Sequence, residues 1–380
     1  MKQAPVLSAQ TAAYDLPERA DPSRQYDLFT TFFGDRSELS NSIELWDAIP
    51  KYAISARKQA SLRDEKGRLP VHRQDFQYRA NGSDRAATIS MRLQPATISV
   101  DGVDRDFYPS ANEELLEEVL RKIFCDQQYG IHDVKDYASW VKFTLYMVRK
   151  ELKERGHTRS HDEVRQSLEI LTRCHIEVTM QGHKKALYSA SALPELMCNG
   201  RDDYLADPKS KWAARFPALI SRSINQIDYR QFNYGKLMQL PTPLARWMHK
   251  RLSHNYTNAN IRHPYHILYS TIERDSGMLQ HVKPDRNLKT VDQMWETLKD
   301  AGVIMWVKRI DGAGPDHSDI RYEVIPTDQF TKDIMAANAR QRDHRAQLGD
   351  VDAKMRIASK KTKQEQQDAQ ARLRTYLNAE

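Results

Sequence analysis

Patterns in the sequence predict an α+β protein built from two similar halves. From Val282 to Pro326 an amphipathic helix precedes two alternating strands joined by a glycine-rich turn, which is the outline of a winged helix. A similar order of helices and strands occurs earlier, from Ser110 to Ala192. Polar, proline-containing or charged sequence flanks both regions. We therefore predict two tandem winged-helix domains with a flexible N-terminal arm and a charged C-terminal tail.

The predicted domain boundaries follow these patterns along the chain. Residues 1–84 form the arm and a linker, residues 85–198 the first winged-helix domain and residues 199–330 the second. Residues 331–380 form the tail, whose Arg, Lys, Gln and Ala content is typical of a solvated helix or a disordered arm. Each domain then has an ordinary size for a single core.

The N-terminal arm ends in a peptide with the features of a binding motif. Residues 1–24 mix prolines with small and charged side chains, so they cannot bury enough apolar surface to offset the entropy of ordering. Leu28 and Phe29 then follow Gln25, and two apolar anchors behind a flexible arm suit a partner's pocket. The alternative is an arm that packs on its own domain. The charged tract from Arg57 to Arg79 indicates a solvated linker or a lid.

The first domain is predicted to begin with a hairpin and to end with a wing. Alternation from Ala87 to Val100 predicts a hairpin with an unpaired edge. Capping boxes at Ser110 and Ser160 each begin an amphipathic helix. Two strands between His175 and Ala192, joined by a basic turn, complete the predicted wing.

The second domain repeats this order. The segment from Ala218 to Asn225 predicts a strand, and Thr242 with Pro243 behind it begins a helix. Tyr265 to Arg274 predicts the next helix, and the outer helix from Arg286 to Asp300 precedes the wing. The helix after Thr242 is expected to bury its apolar side and to expose Arg246, Lys250, Arg251 and His254.

An exposed helix followed by a hairpin can bind DNA. A major groove about 12 Å wide admits the helix while the hairpin lies along a phosphate backbone. The formal net charge of +7 and the pI near 9.1 permit an acidic partner without requiring one. The simpler alternative is that both elements are only packed structure, and their repetition argues against it. The candidate DNA-binding residues are Arg159, His161, Arg165, Gln166, Lys184 and Lys185 in the first domain and Arg286, Lys289, Thr290, Gln293, Lys308, Arg309 and Arg321 in the second.

Several function classes lack their sequence signatures. Cys125, Cys174 and Cys198 form no Cys-x-x-Cys pair, so we expect no metal site, no disulfide and a reducing cytoplasm. No run approaches the roughly 18 apolar residues of a membrane span. The sequence has no G-x-x-x-x-G-K-S/T phosphate loop, and His263 and His266 have the wrong spacing for the histidine pair of a rolling-circle nickase. We expect no enzyme activity, no catalytic residue and no cofactor.

The arrangement resembles the plasmid replication initiators of the TrfA and RepA/RepE type. The resemblance covers about residues 25–330 and lies in the order of the Gln-x-x-Leu-Phe arm, strand pair, capped helix and two winged helices. The tract Leu240–Leu252 is similar to the family's leucine-serine-proline-x-alanine-arginine helix, with Thr242 where serine often stands. Tyr26 departs from the leucine usual in the family's clamp-binding peptide, and the tail from Thr331 onwards has no place in the resemblance.

The resemblance implies a non-enzymatic protein that binds repeated sites in a replication origin. It further implies opening of the adjacent duplex, recruitment of the host replicative helicase or host initiator, and a balance between an inactive dimer and a DNA-active monomer. Gln25, Leu28 and Phe29 would bind the host sliding clamp. The main alternative is a transcriptional repressor with two winged helices, and the clamp peptide distinguishes the two because a repressor has no use for one. A rolling-circle nickase is a lesser alternative.

Overall fold

A computed structural model describes most of the chain beyond the N-terminal arm. The described residues are 39–79, 86–125, 129–133, 136, 138–183, 186–199, 211–226, 229–314, 317–343 and 346. Helices and antiparallel sheets both contribute extensively, so the α+β class is confirmed. The candidates Gln25, Leu28, Phe29, Lys184 and Lys185 lie outside the described residues. Within those ranges, no helix is long and apolar enough to cross a bilayer.

Two large hydrophobic cores divide the described chain. One contains buried side chains from Ile43 to Met238, and the other contains buried side chains from Leu240 to Ile334. We call residues 39–239 the first unit and residues 240–343 the second unit. Residues 211–239, which the sequence grouped with the second domain, thus contribute side chains to the first core.

The first unit contains short helices and twelve strands in its described part. The helices are α1 (Glu44–Ala48), α2 (Ala56–Leu62), α3 (Ala111–Phe124), α4 (Leu145–Glu154), α5 (His161–Arg173), α6 (Ala218–Gln226) and α7 (Tyr234–Gln239). The strands are β1 (Leu39–Ile43), β2 (His72–Tyr78), β3 (Ala87–Gln94), β4 (Ala96–Val100), β5 (Val103–Phe107), β6 (Gly130–Asp133), β7 (Ala138–Thr144), β8 (His175–Met180), β9 (Ala186–Ala190), β10 (Glu195–Asn199), β11 (Lys211–Arg215) and β12 (Tyr229–Asn233).

All strand pairs of the first unit are antiparallel in the described part. One sheet has the order β2-β3-β8-β9 and another the order β10-β11-β7-β6. Strands β4 and β5 form a separate ribbon, and β1 pairs with β12. Helix α5 begins with the predicted capping box, in which Ser160 and Glu163 each accept a backbone N–H of the other. It ends at the strand pair β8-β9, as the sequence predicted.

The hairpin predicted from Ala87 to Val100 was wrong. Strand β3 lies between β2 and β8, so the edge expected to be unpaired is filled on both sides. Strand β4 instead pairs with β5 across Asp101 and Gly102, both of which have positive φ angles. Consecutive positive φ angles are those of a type I′ turn, for which Asp-Gly is a preferred pair. Pro95 only redirects the chain between β3 and β4.

The region predicted as arm and linker is folded from Leu39 to Tyr78. It supplies β1, α1, α2 and β2, and it buries Trp46 and Phe76 almost completely. Strand β2 lies at the edge of its sheet, and Phe76 is the buried residue in a strand that otherwise reaches solvent. Because an edge strand needs few apolar residues, its composition resembled that of a linker.

Two other segments differ from the predicted secondary structure. Residues Ala218–Gln226 form helix α6, in which Ile220 and Ile224 are buried one turn apart, although the sequence predicted a strand. Residues predicted as one helix from Tyr265 divide into a strand and a shorter helix. Short apolar runs are ambiguous between helix and strand, and tertiary packing decides between them.

The second unit combines a three-stranded sheet with four helices in its described part. Thr242 caps the first helix by accepting the Ala245 N–H, and Pro243 follows as predicted. The sheet order is β13-β15-β14, and all pairs are antiparallel. The elements are α8 (Pro243–Asn255), β13 (Tyr265–Leu268), α9 (Tyr269–Ser276), α10 (Pro284–Asp300), β14 (Ile304–Ala313), β15 (Asp319–Pro326) and α11 (328–343).

The start of the predicted tail belongs to the second core. Helix α11 spans residues 328–343 and buries Phe330, Ile334 and Ala337. Their spacing of four and three residues is that of one helical stripe, which the many charged residues around it concealed. Over residues 331–343 the predicted solvated helix or disordered arm is therefore a helix packed on the second core.

Arg246, Lys250 and His254 of α8 are buried, so their predicted exposure was wrong, whereas Arg251 is half-buried. Both Nε and Nη2 of Arg246 donate to Glu114 Oε2 on α3, at 3.0 and 2.8 Å. Lys250 Nζ lies 3.0 Å from Asp47 Oδ1 and 2.5 Å from Glu118 Oε1. Because α8 has its own core on one side and the first unit on the other, most of its polar side is removed from solvent, and Arg251 and Asn255 reach solvent at its C-terminal end.

These contacts belong to a buried network that we call the ionic seam. Arg121 Nη2 lies 2.8 Å from Asp47 Oδ1 and 2.7 Å from Glu117 Oε1. Burial raises the pKa of the Glu117 carboxyl, but the charges of Lys51 and Arg121 outweigh burial and hold this pKa at about 2. Carboxylates and cations balance in number. The members are Asp47, Lys51, Glu114, Glu117, Glu118, Arg121, Arg246 and Lys250.

Candidate nucleic-acid interface

Helices α9 and α10 are joined by a turn that begins at a left-handed glycine. Gly277 caps α9 with φ +64°, and α10 starts after residues 278–283. Helix α10 buries Val291, Met294, Trp295 and Leu298 against the sheet and the second core. This is a helix–turn–helix arrangement with its second helix partly in solvent.

The exposed side of α10 carries the residues that the sequence selected. Arg286, Lys289 and Gln293 are exposed at three- and four-residue steps, so they line one side of the helix. Thr290 is half-buried, and its hydroxyl donates to the Arg286 carbonyl oxygen at 2.9 Å.

Charge is divided unequally along α10. The first half carries Arg286 and Lys289 against Asp285, a net charge of +1, whereas Asp292, Glu296 and Asp300 follow in the rest of the helix against Lys299, which pairs with Glu296 at 3.0 Å. A helix that inserts its N-terminal half into a major groove would place its basic side chains next to DNA and keep its acidic end outside. The distribution of charge therefore matches the orientation used by helix–turn–helix proteins.

The wing formed by β14 and β15 presents its predicted residues on two different faces. Arg309 pairs with buried Tyr322, and paired residues in a sheet share a face, so Arg309 lies on the side of α10. Its Nε donates to Asp311 Oδ1 at 2.8 Å, and this hydrogen bond raises the pKa of Arg309. Lys308 and Arg321 lie on the outer face.

One carboxylate lies among the cations of that outer face. Arg321 Nη2 donates to Glu323 Oε1 at 3.2 Å, and His266 Nδ1 lies 3.7 Å from the same oxygen. Lys308 lies opposite Glu323 in the strand register. These residues carry two permanent positive charges and one histidine against one negative charge, which suits a phosphate backbone. Asp319, two positions before Arg321 in β15, adds a second carboxylate to this face, and the Ser270 hydroxyl donates to it.

Sequence reasoning missed three exposed residues of this sheet. His266 was considered only as part of a nickase histidine pair, and its segment was interpreted as a helix. Met305 and Trp306, at the base of β14, keep 47% and 41% of their surface exposed. Met305 lies at a shift in the strand register, so two consecutive apolar residues both reach solvent. The sequence analysis assigned neither residue to a binding surface.

The first-unit candidates cluster at the beginning of α5. Arg159 Nη2 donates to Asn112 Oδ1 on α3 at 2.7 Å, which fixes the side chain against its own unit. His161, Arg165 and Gln166 are half-buried, and His161 Nε2 has no hydrogen-bond partner among the described residues. These four residues share two helical turns, but they are less accessible than the group on α10.

Comparisons with known proteins give a remote structural likeness. No family model and no curated protein matches the sequence. A crystal structure of domains 2 and 3 of RctB is similar with a TM-score of 0.41 and 9% identity, covering 73% of this chain and 99% of that one. The Pi initiator protein in complex with iteron DNA is similar with a TM-score of 0.40 and 8% identity, covering 57% and 91%. Both likenesses are remote in sequence and in structure.

Proposed function

We propose that the protein is a replication initiator that binds repeated double-stranded sites in an origin through two winged-helix domains. The observation that carries this proposal is the second unit, where a helix–turn–helix leads directly into a hairpin. The basic half of α10 and the outer face of the wing are both open to solvent. Such a surface can read bases in a groove and hold the adjacent phosphates.

The first unit supports the same proposal less directly. Helices α4 and α5 followed by strands β8 and β9 repeat the order found in the second unit. We assign α5 as the second reading helix, with Arg165 and Gln166 as its candidate contacts. Lys184 and Lys185, in the turn between β8 and β9, are the candidates for its wing.

The remaining parts of the proposal come from the sequence resemblance. The protein has no enzymatic role in it, aids the opening of the duplex, and recruits the host helicase and the sliding clamp. Gln25, Leu28 and Phe29 bind the clamp. Exchange between a dimer and a monomer regulates DNA binding.

A footprint on the replicon that carries this gene, followed by titration of the protected repeat, tests the proposal. Arg286→Ala and Gln293→Ala should each weaken binding by about 1–3 kcal/mol if the side chain reads a base. Lys332→Ala, on the exposed side of α11, removes a cation outside the proposed surface and serves as the control. Binding should also weaken steeply with salt, because each neutralised phosphate releases counterions. Equal affinity for the protected repeat and for random duplex at moderate salt would exclude a specific initiator.

A repressor with two winged helices would pass these binding tests as well. The clamp peptide separates the two functions. Specific DNA binding without any binding to the clamp would support the repressor function.

A further inference from the structure

The reading helix α10 is held at both of its ends by the first unit. Before α10, Gln280 Nε2 donates to the Ala53 carbonyl oxygen at 3.2 Å. After α10, Lys236 Nζ on α7 donates to the Gly302 carbonyl oxygen at 2.8 Å. The ends of a helix determine its axis, so the first unit fixes the direction of α10.

A third contact joins the preceding helix α9 to strand β2. Gln74 Nε2 donates to the Arg274 carbonyl oxygen at 2.9 Å, and the Gln77 backbone N–H donates to Asp275 Oδ1 at 3.0 Å. The Gln74 bond satisfies one of the carbonyl groups left free at a helix end. The Gln77 bond occupies part of the open edge of the sheet.

The Gln74 side-chain amide approaches the backbone of Gly277 closely at this contact. A Cβ atom built on Gly277 would lie 2.1 Å from Gln74 Oε1, which no real Cβ atom tolerates. The glycine therefore serves two purposes, since its φ of +64° ends α9 and its missing side chain admits Gln74. The Gln74 amide thus lies directly against the C-terminal end of α9.

The ionic seam lies behind these contacts and holds α8. Arg246 and Lys250 are buried with their partners from the first unit, so neither can shift without leaving a charge unpaired. The second unit is thus joined to the first along α8, along α9 and at both ends of α10.

We propose that these contacts set the distance and angle between the two DNA-reading surfaces, so that the protein selects sites by the length of the spacer between their two halves. The proposal rests on the function proposed above. Gln74 and Lys236 act as positioning residues: they hold α10 relative to α5 and touch no DNA. Two domains joined flexibly would tolerate several spacer lengths, whereas two domains in a fixed arrangement accept one.

The geometry of DNA makes this selection steep. Each added base pair displaces one half-site by about 3.4 Å and rotates it by about 34°, from a helical turn of 34–36 Å and 10–10.5 base pairs. Two added base pairs therefore move the second half-site well beyond hydrogen-bond reach of a reading helix whose position is fixed.

The first experiment measures affinity against spacer length. The probes are a duplex selected by the wild-type full-length protein from a random library and the same duplex with one or two base pairs inserted between its footprinted halves. Two inserted base pairs should weaken wild-type binding by about tenfold or more, the scale of losing a base contact. The variant with Gln74→Ala and Lys236→Met should bind the original duplex less tightly and lose no more than about threefold on insertion.

The matched control is Gln77→Ala. This residue is also a glutamine of β2, but its side chain is exposed and its contact with Asp275 uses the backbone, which the substitution retains. It should keep the wild-type spacer dependence. The same spacer dependence in wild type and in the double variant, or none in the wild type, would overturn the proposal.

The second experiment needs no DNA and so separates this proposal from the proposed function. Spin labels are attached through Lys289→Cys on α10 and Asp162→Cys on α5, in a background with Cys125→Ala and Cys198→Ala. The distribution of distances between the two spin labels should be narrow in this background and at least twice as wide after Gln74→Ala and Lys236→Met are added. Equal widths would refute the positioning role even if the protein binds its origin. Failure to select any duplex, with the widths as expected, would refute the DNA-binding function and with it the spacer selection, but not the positioning role of Gln74 and Lys236.

Discussion

Replacing Arg246 by methionine tests whether the ionic seam joins the two units. Methionine keeps most of the apolar stem of arginine and removes the guanidinium, so packing changes little. The substitution leaves Glu114 buried without the group that donates two hydrogen bonds to it. It also removes the hydrogen bond from Arg246 Nη1 to the Leu240 carbonyl oxygen, at 2.7 Å.

The expected loss of unfolding free energy is about 3–5 kcal/mol, the usual cost of removing one partner of a buried ion pair. The Leu240 carbonyl adds a smaller cost that is not independent of the first. The double substitution Arg246→Met with Glu114→Met should recover most of the loss, because no buried charge then lacks a partner. The control is Lys299→Met, which breaks an exposed pair with Glu296 and should cost less than about 1 kcal/mol.

Urea unfolding followed by tryptophan fluorescence and by circular dichroism provides the measurement. Trp46 and Trp212 report on the first core, while Trp247 and Trp295 report on the second, so loss of coupling would appear as two separate transitions. The reasoning fails if Arg246→Met is within about 1 kcal/mol of the wild type. It also fails if the double variant is as unstable as the single one.

Three further predictions concern pH, a glycine and the N-terminal arm. Folding depresses the pKa of Glu117 from 4.5 to about 2, so the ionised carboxylate contributes roughly 3 kcal/mol to the free energy of unfolding above pH 4.5 and loses this contribution as the pH falls towards 2. Urea midpoints measured across this pH window should therefore fall less steeply for Glu117→Gln than for the wild type. Gly277→Ala should destabilise the protein by about 1–3 kcal/mol in the same assay. Adding Gln74→Ala should recover the stability lost to the steric clash but not the stability lost to the strain of the positive φ, and no recovery would contradict the contact between Gln74 and Gly277. A peptide spanning Ser23 to Phe33 should bind the host sliding clamp with micromolar affinity, or about −8 kcal/mol, and the substitutions Leu28→Ala and Phe29→Ala together should abolish binding. If calorimetry detects no heat of binding at high micromolar concentration, the similarity to a clamp-binding motif is a coincidence.

Local signals in the sequence predicted those parts of the fold that depend on local chemistry. The capping box at Ser160 and the Thr242 cap both appear with their hydrogen bonds, because these motifs involve residues only three positions apart. The stripe of α10 was predicted for the same reason, and with it the exposed group of Arg286, Lys289 and Gln293.

What the sequence could not predict depends on partners far along the chain. The charged side of α8 looks like a solvated surface until its partners on α1 and α3 are known. Trp306 looks like a core residue, although a shift in strand register leaves it partly exposed. In α8 the helical period was right and the packing partner decided burial, whereas at Trp306 the strand alternation itself is interrupted.

The pairing of β1 with β12 has a consequence for how the protein is made. Leu39 pairs with Asn233, so the first unit cannot close until the ribosome has released most of the chain. Arg246 and Lys250 leave the ribosome later still, and until then their partners on α3, Glu114 and Glu118, remain hydrated. Helix α11, which completes the second core, follows last. Synthesis therefore favours assembly of both units near the end of translation, and a chain cut short before residue 328 would expose apolar surface in its second unit.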